Sequence, residues 1–168
     1  NAIVNSNNHK HAGEYTTHVY ITNNGESSFA GEMNYSLKKI LQGVYEMNIR
    51  ANMYSSPTGY LALVNRSTHK VAIFQGGKGS WNCVKYWDCA DGKASTPTVT
   101  GVFHVGSRGY YFDSGSARCY WWTQFYGNYL FHSVLYNHSG QLMDGRVGMA
   151  LSHGCVRLKI ENAKWIYD

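Results

Sequence analysis

The pattern of apolar residues changes its period once along the chain, between residues 54 and 60. Before that point, apolar side chains recur at intervals of three and four residues, at Leu37, Ile40, Leu41, Val44 and Met47. This spacing lines one face of a helix and predicts a helix over residues 34–54, with its apolar stripe packed as core. Ser55-Ser56-Pro57 ends the helix, because proline disfavours helical geometry in the residue before it.

After Pro57 the pattern is that of short strands separated by turns. The predicted strands are 60–65, 70–75, 82–88, 102–106, 118–123 and 129–136. Many short strands with little helix are typical of a mainly β fold, a sandwich or a barrel-like domain. The glycine- and serine-containing stretch 106–117 is expected to be a loop, and residues 160–168 an amphipathic helix. In the polar segment 1–32, only Thr17–Ile21 is strand-like.

Composition narrows the class of protein. The chain has 168 residues, of which 43% are hydrophobic and 15% charged, as expected of one globular domain with a modest appendage. The net charge is +5, but the Lys and Arg residues are scattered, so no nucleic-acid partner is predicted. No apolar run reaches the length of a membrane span, and no signal-peptide pattern opens the chain.

The segment Ser152-His153-Gly154-Cys155-Val156-Arg157-Leu158 carries the strongest chemical signal. In an extended backbone, His153, Cys155 and Arg157 share one face. Cationic neighbours then lower the pKa of the thiol toward the reactive thiolate, and the glycine suits an oxyanion site made of main-chain N–H groups. Taken singly, a cysteine is more often a small buried hydrophobe and an arginine is usually solvated.

These residues resemble the Ser/Thr-His-Gly-Cys signature of the YkuD-type L,D-transpeptidases, bacterial cell-wall enzymes with a nucleophilic cysteine. The run Tyr129–Tyr136, with His132 followed by Ser133, resembles the family's base-bearing strand. The stretch 93–105, with Ser95-Thr96-Pro97-Thr98 and Gly101-Val102-Phe103, resembles its Thr-Pro-x-Gly-x-Phe element. The similarity covers residues 57–168. The chain departs from the family in the nineteen residues between His132 and Ser152, a longer spacing than usual, and in Arg157, where many members have asparagine.

The resemblance implies a YkuD-like β-sandwich or barrel with an N-terminal helix and a short helix after the motif. It implies a thioester mechanism that forms 3→3 cross-links between peptidoglycan stems and releases D-alanine, with Cys155 as nucleophile and His132 as general base. Ser133 would orient His132 through its backbone carbonyl. The remaining expected site residues are His153 and Gly154 for catalysis, and Arg157, Ser152, Tyr110, Tyr111 and Trp122 for substrate binding. The expected partners are stem peptides and carbapenem-type inhibitors, with no metal or organic cofactor, in an extracytoplasmic, cell-wall or secreted location.

Three other functions remain open on the sequence. An L,D-carboxypeptidase would pass the same thioester to water. A catalytically silent wall-binding module would use the aromatic residues, eleven of which fall within 110–136, as a saccharide platform. A zinc hydrolase is disfavoured, because no Cys-x2-Cys spacing is present. Cys83 and Cys89 would form a disulfide or, as we favour, remain free thiols with Cys119.

The resemblance also predicts the domain organisation. Residues 1–56 are expected to form a polar segment with the amphipathic helix, and residues 57–168 the catalytic domain. Because family members usually continue beyond the helix that follows the motif, we expect a closing strand after residue 168. An export signal or anchor is expected before residue 1.

Overall fold

The structure is a computed structural model that describes residues 28–168, with side chains described from residue 36. The predicted strand Thr17–Ile21 therefore lies outside the described residues. Within the described range the chain forms two helices and nine strands. In chain order they are α1 (Ser28–Ala51), β1 (Tyr60–Asn65), β2 (Lys70–Gln75), β3 (Asn82–Asp88), β4 (Arg108–Ser114), β5 (Ala117–Tyr126), β6 (Tyr129–Ser133), β7 (Leu135–Tyr136), β8 (Leu142–Asp144), β9 (Val156–Leu158) and α2 (Ile160–Tyr167). The mainly β class, with a helix before the strands and a short helix after the motif, is confirmed.

The strands form two sheets. The first has three strands in the order β1-β2-β3. The second has six, in the order β8-β7-β5-β6-β9, with β4 also paired to β5. Among the described residues, one compact unit contains 28–63 and 72–85, and the other contains 64–71 and 86–168. The expected division between residues 56 and 57 stays a prediction. Neither described helix has the length and apolar composition that a membrane crossing needs.

The first unit is organised around the end of α1. Met47 and Ala51 are buried, but Ile40, which belongs to the predicted apolar stripe, is 48% exposed. The prediction that the whole stripe packs as core is therefore wrong, and only the end of the helix is buried. The Trp81 ring is also buried, and its Nε1 donates to the Tyr54 carbonyl at 3.0 Å. Asn48 in turn donates to the Trp81 carbonyl at 2.9 Å. These bonds satisfy the polar groups around an indole that would otherwise be costly to bury.

The second unit contains the six-stranded sheet and α2. Its core includes the aliphatic residues Val134, Val156 and Leu158 and the helix residue Ala163. β5 is antiparallel to β4, β6 and β7, whereas β9 runs parallel to β6. The parallel pair requires a long connection from β6 to β9, and residues 134–155 supply it.

Three predictions made from the sequence are wrong. Residues 102–106 do not form a strand. Val102 and Val105 are 69% and 65% exposed, so apolar content alone did not create a pairing partner. Most of the expected loop 106–117 is strand β4, which pairs with β5 from Arg108↔Thr123 to Ser114↔Ala117. The β preference of its aromatic residues outweighs the glycines and serines.

The third correction concerns the stretch 129–136, which is two strands rather than one. β6 ends at Ser133 and β7 begins at Leu135. Between them, the Val134 N–H donates to the Leu158 carbonyl at 2.8 Å, while Tyr136 pairs with Arg118 of β5. The strand changes partner at Val134, and sequence periodicity carries no information about partners.

Candidate active site

Cys155 lies between a bend at residues 153–154 and the start of β9. Gly154 has a φ of 132°, in the region that favours glycine. A Cβ on this residue would also lie 2.7 Å from the Tyr129 ring. The bend interrupts the alternation of side chains, so the expectation that His153 shares a face with Cys155 and Arg157 is wrong. His153 is exposed, whereas the other two are half-buried.

Ser152 holds the bend from inside. Its hydroxyl donates to the Cys155 carbonyl at 2.5 Å and accepts from the Gly154 N–H at 3.0 Å. Since Ser152 is fully buried, the structure gives it a place within the motif rather than on a substrate-facing surface. The Gly154 N–H thus already donates a hydrogen bond within the motif, and the oxyanion role expected of Gly154 stays a prediction.

His132 faces Arg157 across the parallel pair β6–β9. Phe131 pairs with Val156 in the same register. Extending that register by one residue places Cys155 beside Leu130, which lies two positions before His132. Paired residues of adjacent strands point to the same side of a sheet, as do residues two apart. The fold therefore brings Cys155, His132 and Arg157 to neighbouring positions on one side.

The protonation state of His132 is set by burial and by one hydrogen bond. His132 is 4% exposed, and its Nδ1 lies 2.6 Å from the Ser133 carbonyl. Because a carbonyl only accepts, Nδ1 carries the ring proton and Nε2 is left as the acceptor. Burial lowers the pKa of His132 to about 4; the Ser133 hydrogen bond opposes this shift, and the Arg157 charge adds to it. The edge-on ring of Phe112, 5.3 Å away, completes the apolar surroundings.

Cys155 is a thiol rather than a thiolate in this environment. Its Sγ donates to the Asn128 carbonyl at 3.4 Å. Burial raises the pKa of Cys155, and a hydrogen bond with the Leu130 main chain and the Arg157 charge counteract this only in part. The prediction that cationic neighbours lower this pKa below its ordinary value is therefore wrong, because desolvation outweighs the charge.

Arg157 carries the positive charge of the site. Its Nε is buried and, among the described residues, has no hydrogen-bond partner. The Arg157 charge acts to lower the pKa of both Cys155 and His132, against the larger effect of burial at Cys155 and together with it at His132. It also opposes the burial that raises the pKa of Cys119 to about 11. An unpaired donor on a half-buried cation is available to an anionic group of a ligand.

The Ser133 carbonyl holds the His132 ring at Nδ1, as expected. Ser133 is buried; its hydroxyl donates to Val134 O at 2.7 Å and accepts from Tyr120 N at 2.8 Å. Tyr110 and Tyr111 are 55% and 44% exposed; their rings meet edge to face, and both contact the Tyr120 ring at a tilt.

Trp122 packs over the main chain of Gly109, where a Cβ would lie 2.5 Å from its indole ring. The described ring contacts of Tyr110, Tyr111 and Trp122 therefore do not include the motif at residues 152–155. A substrate-binding role for these three aromatic residues stays a prediction.

Sequence reasoning missed several groups that contact the main chain of the motif. Thr98 donates to the Gly154 carbonyl at 2.7 Å, and Thr96 donates to the Ser152 carbonyl at 3.1 Å. The Asp91 carbonyl accepts from Ser152 N at 2.9 Å. The Thr-Pro-Thr sequence was a visible signal for the two threonines. Nothing in the sequence marks the carbonyls of Asp91 and Asn128, whose contacts depend on the fold.

The described residues hold no group of three or more His, Cys, Asp or Glu side chains that could bind a metal ion. The four thiols Cys83, Cys89, Cys119 and Cys155 are free. The chemistry available at the site is therefore that of a thiol, an imidazole with a free Nε2 and a guanidinium.

Comparisons with known proteins show the family of this chain. Residues 59–168 match the family model of the YkuD L,D-transpeptidase catalytic domain. YciB of Bacillus subtilis (strain 168), whose name assigns it to the L,D-transpeptidases, is 36% identical over 80 residues, which cover 42% of this chain and 41% of YciB.

Two solved structures are similar. A protein of Clostridium acetobutylicum ATCC 824, described as a fused Zn-dependent amidase/peptidase/peptidoglycan-binding domain-containing protein, is 38% identical, with a TM-score of 0.61 over 73% of this chain and 53% of that one. The transpeptidase LdtMt1 in complex with imipenem is 22% identical, with a TM-score of 0.51 over 66% of this chain and 54% of that one. The chain thus spans about half the length, or less, of these relatives.

Proposed function

Because this chain belongs to the YkuD family of L,D-transpeptidase catalytic domains, we propose that it forms 3→3 cross-links in peptidoglycan through a thioester on Cys155. The resemblance noted in the sequence is confirmed by the family match. The observation that carries the proposal is the β6–β9 pairing, which aligns His132 with Arg157, two residues after Cys155. A nucleophile, a base and a cation on adjacent strands are the parts that acyl transfer through a thiol needs.

The first half-reaction transfers the donor stem to sulfur. The Cys155 Sγ attacks the carbonyl carbon between the third stem residue and the terminal D-alanine, while His132 Nε2 takes the thiol proton. The S–C bond forms, the C–N bond breaks, and the same proton passes from Nε2 to the D-alanine amine as it leaves. The neutral resting state of His132, with its proton on Nδ1, leaves Nε2 free for this role. Ser133 contributes its carbonyl, which fixes the ring and its tautomer.

The second half-reaction transfers the acyl group to an amine of a second stem. The amine nitrogen attacks the thioester carbon and gives up a proton to His132 Nε2. The C–S bond then breaks, and the proton returns to the Cys155 sulfur, so the enzyme is unchanged. A neutral amine attacks more readily than water when the acceptor site positions it. Transfer to water would instead give the carboxypeptidase product.

Arg157 supports recognition of an anionic group. Its buried, unpartnered Nε gains a hydrogen bond if a stem carboxylate enters the site, and guanidinium binds carboxylates in a two-point geometry. Stem peptides are therefore the proposed partners, and a location outside the cytoplasm follows from that substrate. Imipenem, which is bound in the structure of LdtMt1, is a proposed covalent ligand, since its strained amide carbonyl would accept the same attack.

The direct test is incubation of the chain with a disaccharide-tetrapeptide, followed by mass spectrometry. We expect loss of D-alanine and a dimeric product joined through third residues. The Cys155→Ala chain should yield neither product. Cys83→Ala is the matched control: it removes a free thiol in another part of the chain and should yield both products. Loss of D-alanine without dimer would assign carboxypeptidase activity. No product from the unmodified chain would refute both reactions.

A further inference from the structure

A buried threonine from a distant part of the sequence holds the peptide bond that precedes Cys155. The Thr98 hydroxyl donates to the Gly154 carbonyl at 2.7 Å, across a separation of 56 residues. Thr98 is 2% exposed, so water does not replace this bond readily. The nucleophile is thus connected to the 92–98 segment by a specific, desolvated contact.

A second contact fixes the direction of this hydrogen bond. The Gly92 N–H donates to Thr98 Oγ1 at 2.9 Å. A hydroxyl has one proton, and the Gly154 carbonyl can only accept. The Thr98 proton therefore points at the Gly154 oxygen, while its lone pair receives the Gly92 N–H.

Thr98 is itself placed by its surroundings. Arg66 Nη1 donates to the Thr98 carbonyl at 2.5 Å. On the other side, a Cβ at Gly92 would lie 2.5 Å from Thr98 N, so only glycine allows the two main chains to approach this closely. Thr98 is hydrogen-bonded both at its hydroxyl and at its main-chain carbonyl. Its side chain therefore has little freedom to turn away from Gly154.

The geometry of the peptide bond carries this restraint to the nucleophile. The Gly154 C=O and the Cys155 N–H belong to one planar, trans peptide unit, in which they point in opposite directions. A fixed carbonyl therefore fixes the N–H. The Gly154 N–H is donated to Ser152 Oγ and is not available to a ligand. The Cys155 N–H is then the main-chain group beside the Cys155 sulfur that can donate a hydrogen bond to a negatively charged substrate oxygen.

We propose that Thr98 is a positioning residue that aims the Cys155 N–H at the oxyanion formed during acyl transfer. The inference rests on the proposed thioester reaction of Cys155. As the Cys155 Sγ adds to the substrate carbonyl, the π electrons of that bond move to oxygen, and the Cys155 N–H donates to the resulting O⁻. Thr98 touches none of the reacting atoms and acts only through the Gly154–Cys155 peptide plane.

The test compares two reactions of the same thiol. Acylation by imipenem places negative charge on a carbonyl oxygen, whereas alkylation by iodoacetamide displaces iodide and needs no oxyanion donor. Each rate is followed by mass spectrometry of the Cys155 peptide. In Thr98→Val, which keeps the shape and removes the hydroxyl, we expect the ratio of acylation to alkylation to fall by about 10- to 100-fold, the scale of a lost or misaimed oxyanion donor. Thr98→Ser restores the hydroxyl and should restore the ratio.

Thr96→Val is the matched control. It removes a similar hydroxyl bond, to the Ser152 carbonyl, but leaves the Gly154–Cys155 peptide plane restrained, so its ratio should remain that of the unmodified chain. Equal losses of acylation and alkylation in Thr98→Val, or no change in either, would overturn the inference. If the unmodified chain is alkylated at Cys155 but never acylated, the proposed function itself fails, which is a different result.

A measurement on the unmodified chain decides the question even if Thr98→Val does not fold. Amide hydrogen exchange is measured by NMR before and after acylation by imipenem. We expect the Cys155 amide to exchange more slowly once the acyl oxygen accepts its hydrogen bond, and the Gly154 amide, already bonded to Ser152, to change little. Slowing at Gly154 with no change at Cys155 would contradict the assignment of the donor.

Discussion

A neutral thiol beside a neutral imidazole is the resting state that burial favours at Cys155 and His132. Burial raises the pKa of Cys155 and lowers that of His132 to about 4, so an ion pair is disfavoured on both sides. Arg157 stabilises the thiolate but repels an imidazolium. In the proposed reaction, the proton therefore moves from sulfur to Nε2 as the new bond forms, which is general-base catalysis rather than attack by a preformed thiolate.

Cys155 should be the thiol that the reaction requires. Cys155→Ala should abolish acyl-enzyme formation, because no other group replaces the sulfur. Cys119→Ala, a change at a nearby buried thiol whose pKa is raised to about 11, should leave acylation measurable. Intact-mass spectra after incubation with imipenem provide the measurement. Loss of the adduct in both variants to the same extent would instead indicate a structural role.

His132 should be the general base. His132→Ala should slow acylation by about 100-fold or more relative to His138→Ala, since general-base catalysis contributes factors of this size. His138 is the matched control because it is exposed and bonds the Gly115 carbonyl at 3.1 Å, in the β4–β5 turn. Stopped-flow acylation rates at one pH are compared. Similar rates in the two variants would argue against a base at position 132.

At the scale of elements, the bend before β9 determines where the thiol lies. β9 is anchored on both sides: it pairs with β6, and the Arg157 main chain exchanges hydrogen bonds with Ala90 at 2.8 and 2.9 Å. The bend that leads into β9 contains Gly154, which has a φ of 132° and lies close to the Tyr129 ring. A short strand and one glycine thus determine where the Cys155 thiol lies.

Gly154→Ala should distort this bend. The new Cβ would meet the Tyr129 ring at 2.7 Å in a strained backbone region, and such strain costs about 1–3 kcal/mol. We expect lower unfolding free energy together with slower acylation by imipenem. Gly115→Ala is the control: its φ is 59° and nothing lies within 4 Å of the added Cβ. If urea denaturation shows equal losses for the two variants, the Tyr129 contact is not the cause.

At the scale of the whole molecule, we expect acylation at one of the four thiols. Burial raises the pKa of Cys83 to about 11 and raises that of Cys89 still further. Burial likewise raises the pKa of Cys119 to about 11. Cys155 differs in its position, because it directly precedes the strand whose Arg157 pairs with His132. Imipenem should therefore add once per chain, and peptide mapping should place the adduct on Cys155. Two adducts per chain would show that acylation does not depend on the site.

Stability should depend on pH through the buried His132. Its pKa is about 4 in the folded chain against an ordinary value of 6.5, so the unfolded chain binds the additional proton between these values. Neutral His132 contributes about 3 kcal/mol to the free energy of unfolding. This contribution is fully present above pH 6.5 and is lost as the pH falls toward 4. Urea midpoints measured from pH 7 to pH 4 should fall accordingly. His132→Asn, which has no titrating ring, should show a weaker decline over this range, and an equal decline would contradict the assignment.

The sequence by itself determined the class of fold and the chemistry of the motif. Hydrophobic spacing located strands β1, β2 and β3 and indicated a helix before them, because these elements follow local periodicity. The bounds of that helix differ, since α1 spans Ser28–Ala51 rather than the predicted 34–54. The contiguous Ser-His-Gly-Cys residues identified the family, because a motif of this kind is local in the chain. The residues around His132 were visible for the same reason.

Only the tertiary structure decided which groups hydrogen-bond to that motif and in which direction the pKa values of Cys155 and His132 shift. The partners of Gly154 and Cys155, namely the Thr98 hydroxyl and the Asn128 carbonyl, lie 56 and 27 residues away, and main-chain groups have no sequence signature. The pKa directions of Cys155 and His132 depend on desolvation, which a sequence does not contain. The change of partner at Val134 likewise follows from strand pairing, a property of the fold as a whole.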